Sequence, residues 1–313
     1  MKKKTFLRIL GPLLGLLLFA LAVWVLHREF HKYALEEILA HLNAIPQGQL
    51  LLALGLTFLS YILLTGYDAL AFRYIGRPLP GRKIVFASFV GYAVGNNTGS
   101  FSLIAGSGVR FRLYSAWGLS HLQIARVVAF CFLTFWLGFF FLGGLVFLLG
   151  SMTLPAAVPL PTGSPRLLGV LLLGMVGAYL LWGRLRQKPL TWGEEEFHLP
   201  SSRLALLQIG LASMDWILVG SVLYVLLPAS FPFSFPEFLG FFLLAQIIGL
   251  VSQVPGGLGV FESMFILLLP GSGLHSETLG SLLAFRMIYY FLPLAVAAVM
   301  FGFYELLVLR WRK

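Results

Sequence analysis

The sequence predicts an all-α integral membrane protein, one transmembrane domain over 1–313 with about six full spans and two oppositely oriented re-entrant helical hairpins that form an inverted repeat. Three observations carry this. Hydrophobic residues make up 59% of the 313 and charged residues only 11%, where a soluble domain holds near a quarter charged. The apolar residues gather in runs of roughly 18 to 25, the length of a helix crossing a hydrocarbon core of about 30 Å, and not in the short alternating strands of a barrel. Lysine and arginine collect at the ends of these runs, the mark of short cytoplasmic loops.

Taken in order, the runs fall near 6–26, 49–73, 84–108, 122–150, 166–183, 204–227, 237–269 and 280–309. The first follows Met1-Lys2-Lys3-Lys4-Thr5. It is longer than a secretory leader's apolar core, and His27-Arg28-Glu29-Phe30-His31 follows it instead of a small-residue cleavage site, so it reads as a span. Six runs fit single spans, whereas 84–108 and 237–269 are interrupted by glycine and polar residues. Charge placement decides how these two run. With both termini cytoplasmic and each interrupted run entering and leaving on one side, all but four of the 22 lysines and arginines fall inside; Arg28, Lys32 and Arg166 fall outside and Arg286 lies in the membrane. Full crossings would instead move Arg110, Arg112, Arg126 and the basic 184–203 loop outside. Half of 84–108 makes about 18 Å of helix, enough to reach mid-membrane and return. The first hairpin enters from the inside and the second from the outside.

The order span, hairpin, span thus occurs twice, over about 49–150 and about 204–309, from opposite starting sides. Gly106-Ser107-Gly108-Val109 and Gly257-Leu258-Gly259-Val260 occupy corresponding places. Inverted repeats with broken helices at matching positions place a transporter's site near the bilayer midplane. The sharpest break is Gln253-Val254-Pro255-Gly256-Gly257-Leu258-Gly259-Val260-Phe261-Glu262. Unwound backbone at that depth needs protein or a wet cavity to satisfy its N–H and C=O groups.

Ionisable groups inside apolar runs are costly and therefore candidate functional groups. The sequence offers Asp68, Asp215, Glu262 and Arg286, with Gln253 at the break. Asp68 also has Arg73 nearby as a packing partner, and Glu262 with Arg286 would form a pair at a broken backbone. The first hairpin adds Asn96 and Asn97 as neutral donors. Arg110 and Arg112 have the forked geometry that holds a phosphate, or else they mark the inner face. An anionic headgroup suits this set.

Other chemistries find little support. Six histidines fall in loops or at span ends without metal-ligand spacing, and the single cysteine, Cys131, allows neither an intrachain disulfide nor a cysteine metal cluster. There is no nucleotide-binding phosphate loop and no spacing suited to nucleophilic catalysis, so no cofactor and no enzymatic activity is expected. The net charge of +10 reports orientation and anionic lipid, not nucleic acid.

The run from Gly95-Asn96-Asn97-Thr98-Gly99-Ser100 through Arg110-Phe111-Arg112-Leu113-Tyr114-Ser115-Ala116-Trp117-Gly118-Leu119, with Val254-Pro255-Gly256-Gly257-Leu258-Gly259-Val260-Phe261-Glu262, resembles the membrane domain of the lysylphosphatidylglycerol synthase and flippase family, also called multiple peptide resistance factor. The resemblance implies a flippase domain of the bacterial cytoplasmic membrane without the soluble transferase. It would move phosphatidylglycerol or its aminoacyl form and so confer antimicrobial peptide resistance. Arg110, Arg112 and Glu262 match the family's motif positions. Two alternatives stand beside it, a non-catalytic membrane partner of a separate lipid-modifying synthase and a membrane transferase. A synthase subunit and a homo-oligomer both remain open.

Overall fold

The computed structural model describes residues 45–98, 102–150, 164–185, 190–192, 195–197, 199–252, 254, 257–268 and 275–310. The expected first span, 6–26, lies outside them, as does Gln253. Nearly every described element is helical: α1 (Gln47–Tyr74), α2 (Gly81–Thr98), α3 (Ser102–Ala116), α4 (His121–Leu149), α5 (Pro165–Leu185), α6 (Ser202–Leu226), α7 (Phe235–Val251), α8 (Val260–Leu268), α9 (His275–Phe285), a π-helical turn (Arg286–Phe291) and α10 (Leu292–Arg310). The exception is a small antiparallel ribbon, β1 (Leu190–Trp192) with β2 (Glu195–Phe197), in the charged loop after α5.

Five helices among the described residues are long and apolar enough to cross a membrane: Gln47–Tyr74, His121–Leu149, Pro165–Leu185, Ser202–Leu226 and Thr278–Val308. They match the five later spans expected from the sequence. The last runs continuously through α9, the π turn and α10. Bulky apolar side chains such as Leu51, Phe58, Val299 and Phe303 stand at least 66% exposed on outer faces. Exposed apolar surface on that scale marks contact with a non-aqueous partner, here the hydrocarbon of the bilayer.

Local sequence chemistry sets the ends of the helices. α1 and α3 both stop at a left-handed glycine, Gly76 (φ 65°) and Gly118 (φ 87°). After each, paired N–H groups bond back onto the last turn: Arg77 N–H to Phe72 O at 3.3 Å and Leu119 N–H to Tyr114 O at 3.0 Å. α4 starts with a reciprocal cap between Ser120 and Gln123, and at the start of α7 Glu237 accepts from both the N–H and the hydroxyl of Ser234.

Packing is reciprocal between the two halves of the chain. α1 lies along α6; α2 pairs with α3 as α7 pairs with α8; α2 packs on α10 as α7 packs on α4; α3 meets α4 as α8 meets α9. The arms α2 and α3 are longer than the 84–108 run suggests, because polar and basic residues at 81–83 and 109–116 extend them. At 1.5 Å per residue, the 18 residues of α2 make about 27 Å of helix.

Small residues let these helices approach. A Cβ on Gly138 of α4 would lie 2.3 Å from Ala212 Cβ of α6, and one on Gly106 of α3 only 2.8 Å from Gly91 O of α2. Gly106→Ala is therefore expected to cost roughly 1–3 kcal/mol by forcing the hairpin apart. Gly174→Ala, with nothing within 4 Å, serves as the control. A thermal melt in detergent in which Gly106→Ala matches Gly174→Ala would refute the close-packed hairpin.

Candidate functional site

The two hairpins, α6 and the π turn enclose a cavity of about 230 Å³. The first hairpin lines it with Gly91, Tyr92, Gly95, Asn96, Ser107 and Arg110, and the second with Gln246, Gly249 and Gly257. Asp215 and Trp216 of α6, Tyr289 and Tyr290 of the π turn, and Phe135 and Trp136 of α4 complete the wall. The site therefore combines several aromatic faces with a few polar groups, the usual make-up of a small-molecule pocket.

Arg110 reaches the cavity while anchored from behind. Its Nε and Nη2 donate to Asp68 Oδ1 and Oδ2 at 2.9 and 3.0 Å, Tyr114 Oη donates to Asp68 Oδ1 at 2.7 Å, and the guanidinium lies 4.2 Å over the Tyr92 ring. Asp68 is fully buried. Its partner is Arg110 and not Arg73, because α2 packs on α1 and α3 pairs with α2, which brings the long Arg110 side chain within reach of Asp68. Gly91 makes room, since a Cβ there would meet Arg110 Nη1 at 3.0 Å.

Arg112 does not join Arg110 at one phosphate. Residues two apart on a helix point to opposite sides, so Arg112 turns away and donates to Glu305 of α10 at 2.7 Å. Glu305 is a carboxylate within the last apolar run, detectable by the same rule that singles out Asp215, yet the sequence reading does not name it.

Glu262 and Arg286 do meet, in a buried ion pair between Arg286 Nε and Glu262 Oε1. Glu262 Oε2 also accepts the Gly259 N–H at 2.8 Å. That is half of a capping box on α8, whose first turn begins after left-handed Gly257 (φ 62°) and Gly259 (φ 78°). Glu262 thus caps the Gly259 N–H at the start of α8 and is tied to the π turn.

The π turn creates acceptors of its own. π turns occur mostly as single turns within helices, often at functional sites. Here Tyr290 O accepts Asn97 Nδ2 at 3.1 Å and Tyr289 O accepts Tyr61 Oη at 3.4 Å. Asn97 therefore ties α2 to the last span and does not line the cavity, whereas Asn96 does.

Asp215 differs from the other buried carboxylates. Asp68, Glu262 and Glu305 each face an arginine. Among the described residues, Asp215 is hydrogen-bonded only by neutral hydroxyls, Ser60 Oγ at 2.7 Å and Tyr67 Oη at 3.2 Å, with Tyr289 Oη beyond Ser60 at 3.2 Å. It is 5% exposed and lines the cavity. Ser60-Tyr61-Ile62-Leu63-Leu64 and Asp215-Trp216-Ile217-Leu218-Val219 are similar strings, and the structure brings their first residues together where α1 meets α6. That likeness was a legible signal for Ser60. Tyr67, Tyr92 and Gln246 carried none, because aromatic and amide residues abound in such helices.

Residues 13–311 match the family described as the lysylphosphatidylglycerol synthase TM region. The chain is 42% identical over 294 residues to an uncharacterized protein of Synechocystis sp., covering 94% of this chain and 91% of that one. It is 34% identical over 285 residues to the inner membrane protein YbhN of Escherichia coli, covering 90% and 88%. It is 23% identical over 293 residues to the phosphatidylglycerol lysyltransferase of Bacillus subtilis, covering 93% of this chain but 34% of that protein.

Proposed function

Because this chain belongs to the family of the lysylphosphatidylglycerol synthase TM region, we propose that it serves lipid transport in the bacterial inner membrane, moving a phospholipid of the phosphatidylglycerol or aminoacyl-phosphatidylglycerol type between leaflets without itself modifying it. The observation that carries this reading is the cavity between two broken hairpins in a membrane-spanning helical protein. The two halves form the inverted repeat, and their hairpins enter the membrane from opposite sides. The headgroup crosses between them while its acyl chains stay in hydrocarbon.

Within the cavity the headgroup has two ends to satisfy. Arg110 and Asn96 face the phosphate, Arg110 being held in place by Asp68. Asp68 and Glu262 are each neutralised by an arginine, so the carboxylate left for a cationic amine is Asp215, flanked by the rings of Trp216, Tyr289 and Tyr290. Export of a cationic headgroup would lower the negative charge of the outer leaflet and weaken the binding of cationic peptides.

The test is headgroup-resolved translocation in proteoliposomes of purified protein. Asp215→Asn keeps the hydrogen-bonding shape and removes the charge. It is expected to slow lysyl-phosphatidylglycerol about tenfold, the loss of one charge-assisted contact, while phosphatidylglycerol crosses at nearly the unaltered rate. Equal slowing of both lipids would remove Asp215 from amine recognition. If the unaltered protein moves neither lipid but raises the activity of a co-reconstituted lysyltransferase, the protein is a synthase partner and the transport reading falls.

A further inference from the structure

We propose that the groove between α3 and α4 is an acyl-chain site, holding one fatty chain of the lipid whose headgroup occupies the cavity. The proposal rests on the transport reading above and adds to it the side by which the lipid enters.

The groove has a volume of about 550 Å³ and an almost wholly apolar wall. Its origin is local. Ala125 and Ala129 stand one turn apart on an exposed face of α4, opposite Gly108 of α3, so three small residues leave a trough between two helices that otherwise carry Leu and Phe outward. Phe111 and Phe132, 38% and 44% exposed, form its rims. At one end the Phe111 and His121 rings approach to 5.1 Å. That end lies beside the 117–120 turn, where the Lys83 ammonium stands 5.2 Å from the Trp117 ring, which puts it at the basic, cytoplasmic interface. From His121 to Phe132 is about 16 Å of helix, close to half of a hydrocarbon core of about 30 Å. The groove therefore spans the inner leaflet.

Its occupant follows from where it leads. Ser107, Val128 and Phe132 line both the groove and the cavity, so the two spaces adjoin, separated by no more than these side chains. The cavity presents Asp215, Arg110 and Asn96; the groove presents almost no polar group. A single molecule filling both must be polar at one end and a hydrocarbon chain at the other. A helix from a second copy could cover the trough but would leave the polar cavity empty, and a water-soluble headgroup alone would leave the trough empty.

The experiment uses phosphatidylglycerol with a photoactivatable diazirine in one acyl chain, reconstituted with the full chain in vesicles. Cross-linked peptides are mapped and translocation is followed in parallel. In the unaltered protein the α4 peptide spanning Ala125 to Phe132 is expected to be labelled well above the equally exposed α5 surface. Ala129→Trp, which fills the trough from an exposed position, is expected to cut that labelling and the translocation rate about tenfold, the effect of roughly two methylenes losing their seat. Ala125→Phe provides a second filling variant, and Ala129→Ser an open control.

The outcomes separate the two readings. Translocation with uniform labelling, unaffected by either filling variant, would overturn the groove site and leave transport standing. If the unaltered protein moves no lipid, transport falls and the labelling alone decides: a groove signal removed by Ala129→Trp upholds the acyl site, and a uniform one refutes it.

Discussion

Replacing Asp68 with alanine is expected to lower stability by roughly 3–5 kcal/mol, the usual cost of stranding one member of a buried ion pair. Asp68 is fully buried and receives three hydrogen bonds, two from Arg110 and one from Tyr114. Its removal leaves a guanidinium and a phenol without an acceptor in a place water reaches poorly. The pair itself is not expected to stabilise the fold to that extent, because desolvating both charges offsets most of their attraction. The variant Asp68→Leu/Arg110→Met/Tyr114→Phe removes all three polar groups at similar volume and is expected to recover most of the lost stability in the same thermal melt. This triple variant also separates packing from function. A well-folded protein that no longer moves lipid makes Arg110 a binding group held in place by Asp68. One that still moves lipid makes the whole cluster a packing device, and the phosphate assignment fails.

The membrane architecture was legible because hydrocarbon imposes strict rules on composition, run length and loop charge. The five later spans fall within a few residues of where the apolar runs put them. The break at 253–262 was legible for the same reason, since one proline and three glycines this close together do not sustain a regular helix. What the sequence conceals is partner choice. Asp68 has Arg73 five residues away and Arg110 forty-two away, and only the packing of the first hairpin on α1 through α2 selects the second. Arg110 and Arg112 look like one clamp when read as a string, yet helical geometry sends them to Asp68 and Glu305. The π turn has no signature in its own letters, since Arg286-Met287-Ile288-Tyr289-Tyr290-Phe291 would serve equally in a regular helix. Its signature lies just beyond it: Pro293 has no N–H for Tyr289 O and its ring crowds that carbonyl, and the freed acceptor is taken by Tyr61 Oη.

Glu262→Ala is expected to be as destabilising as loss of Asp68, roughly 3–5 kcal/mol, for two reasons that can be told apart. Glu262 neutralises buried Arg286, and it also accepts the Gly259 N–H that starts α8. Glu262→Gln retains an acceptor for Gly259 but not the negative charge. If charge pairing dominates, Gln will recover no more than about 1 kcal/mol, the usual size of an N-terminal helix-capping contribution; if the cap dominates, Gln will recover most of the loss. The variant Glu262→Gln/Arg286→Met settles which, because it keeps the cap and removes the stranded cation. Its recovery toward the unaltered melting temperature would assign the loss to Arg286. The same variant bears on movement of the second hairpin. The Glu262 to Arg286 link joins the tip of α8 to the π turn, and Tyr289 and Tyr290 of that turn stand in the cavity wall beside Asp215. Opening the hairpin while the last span stays in place must break that link or carry the π turn along. A folded Glu262→Gln/Arg286→Met protein with altered lipid selectivity would show that the π turn moves with the hairpin tip. Unaltered selectivity would make the link a static brace.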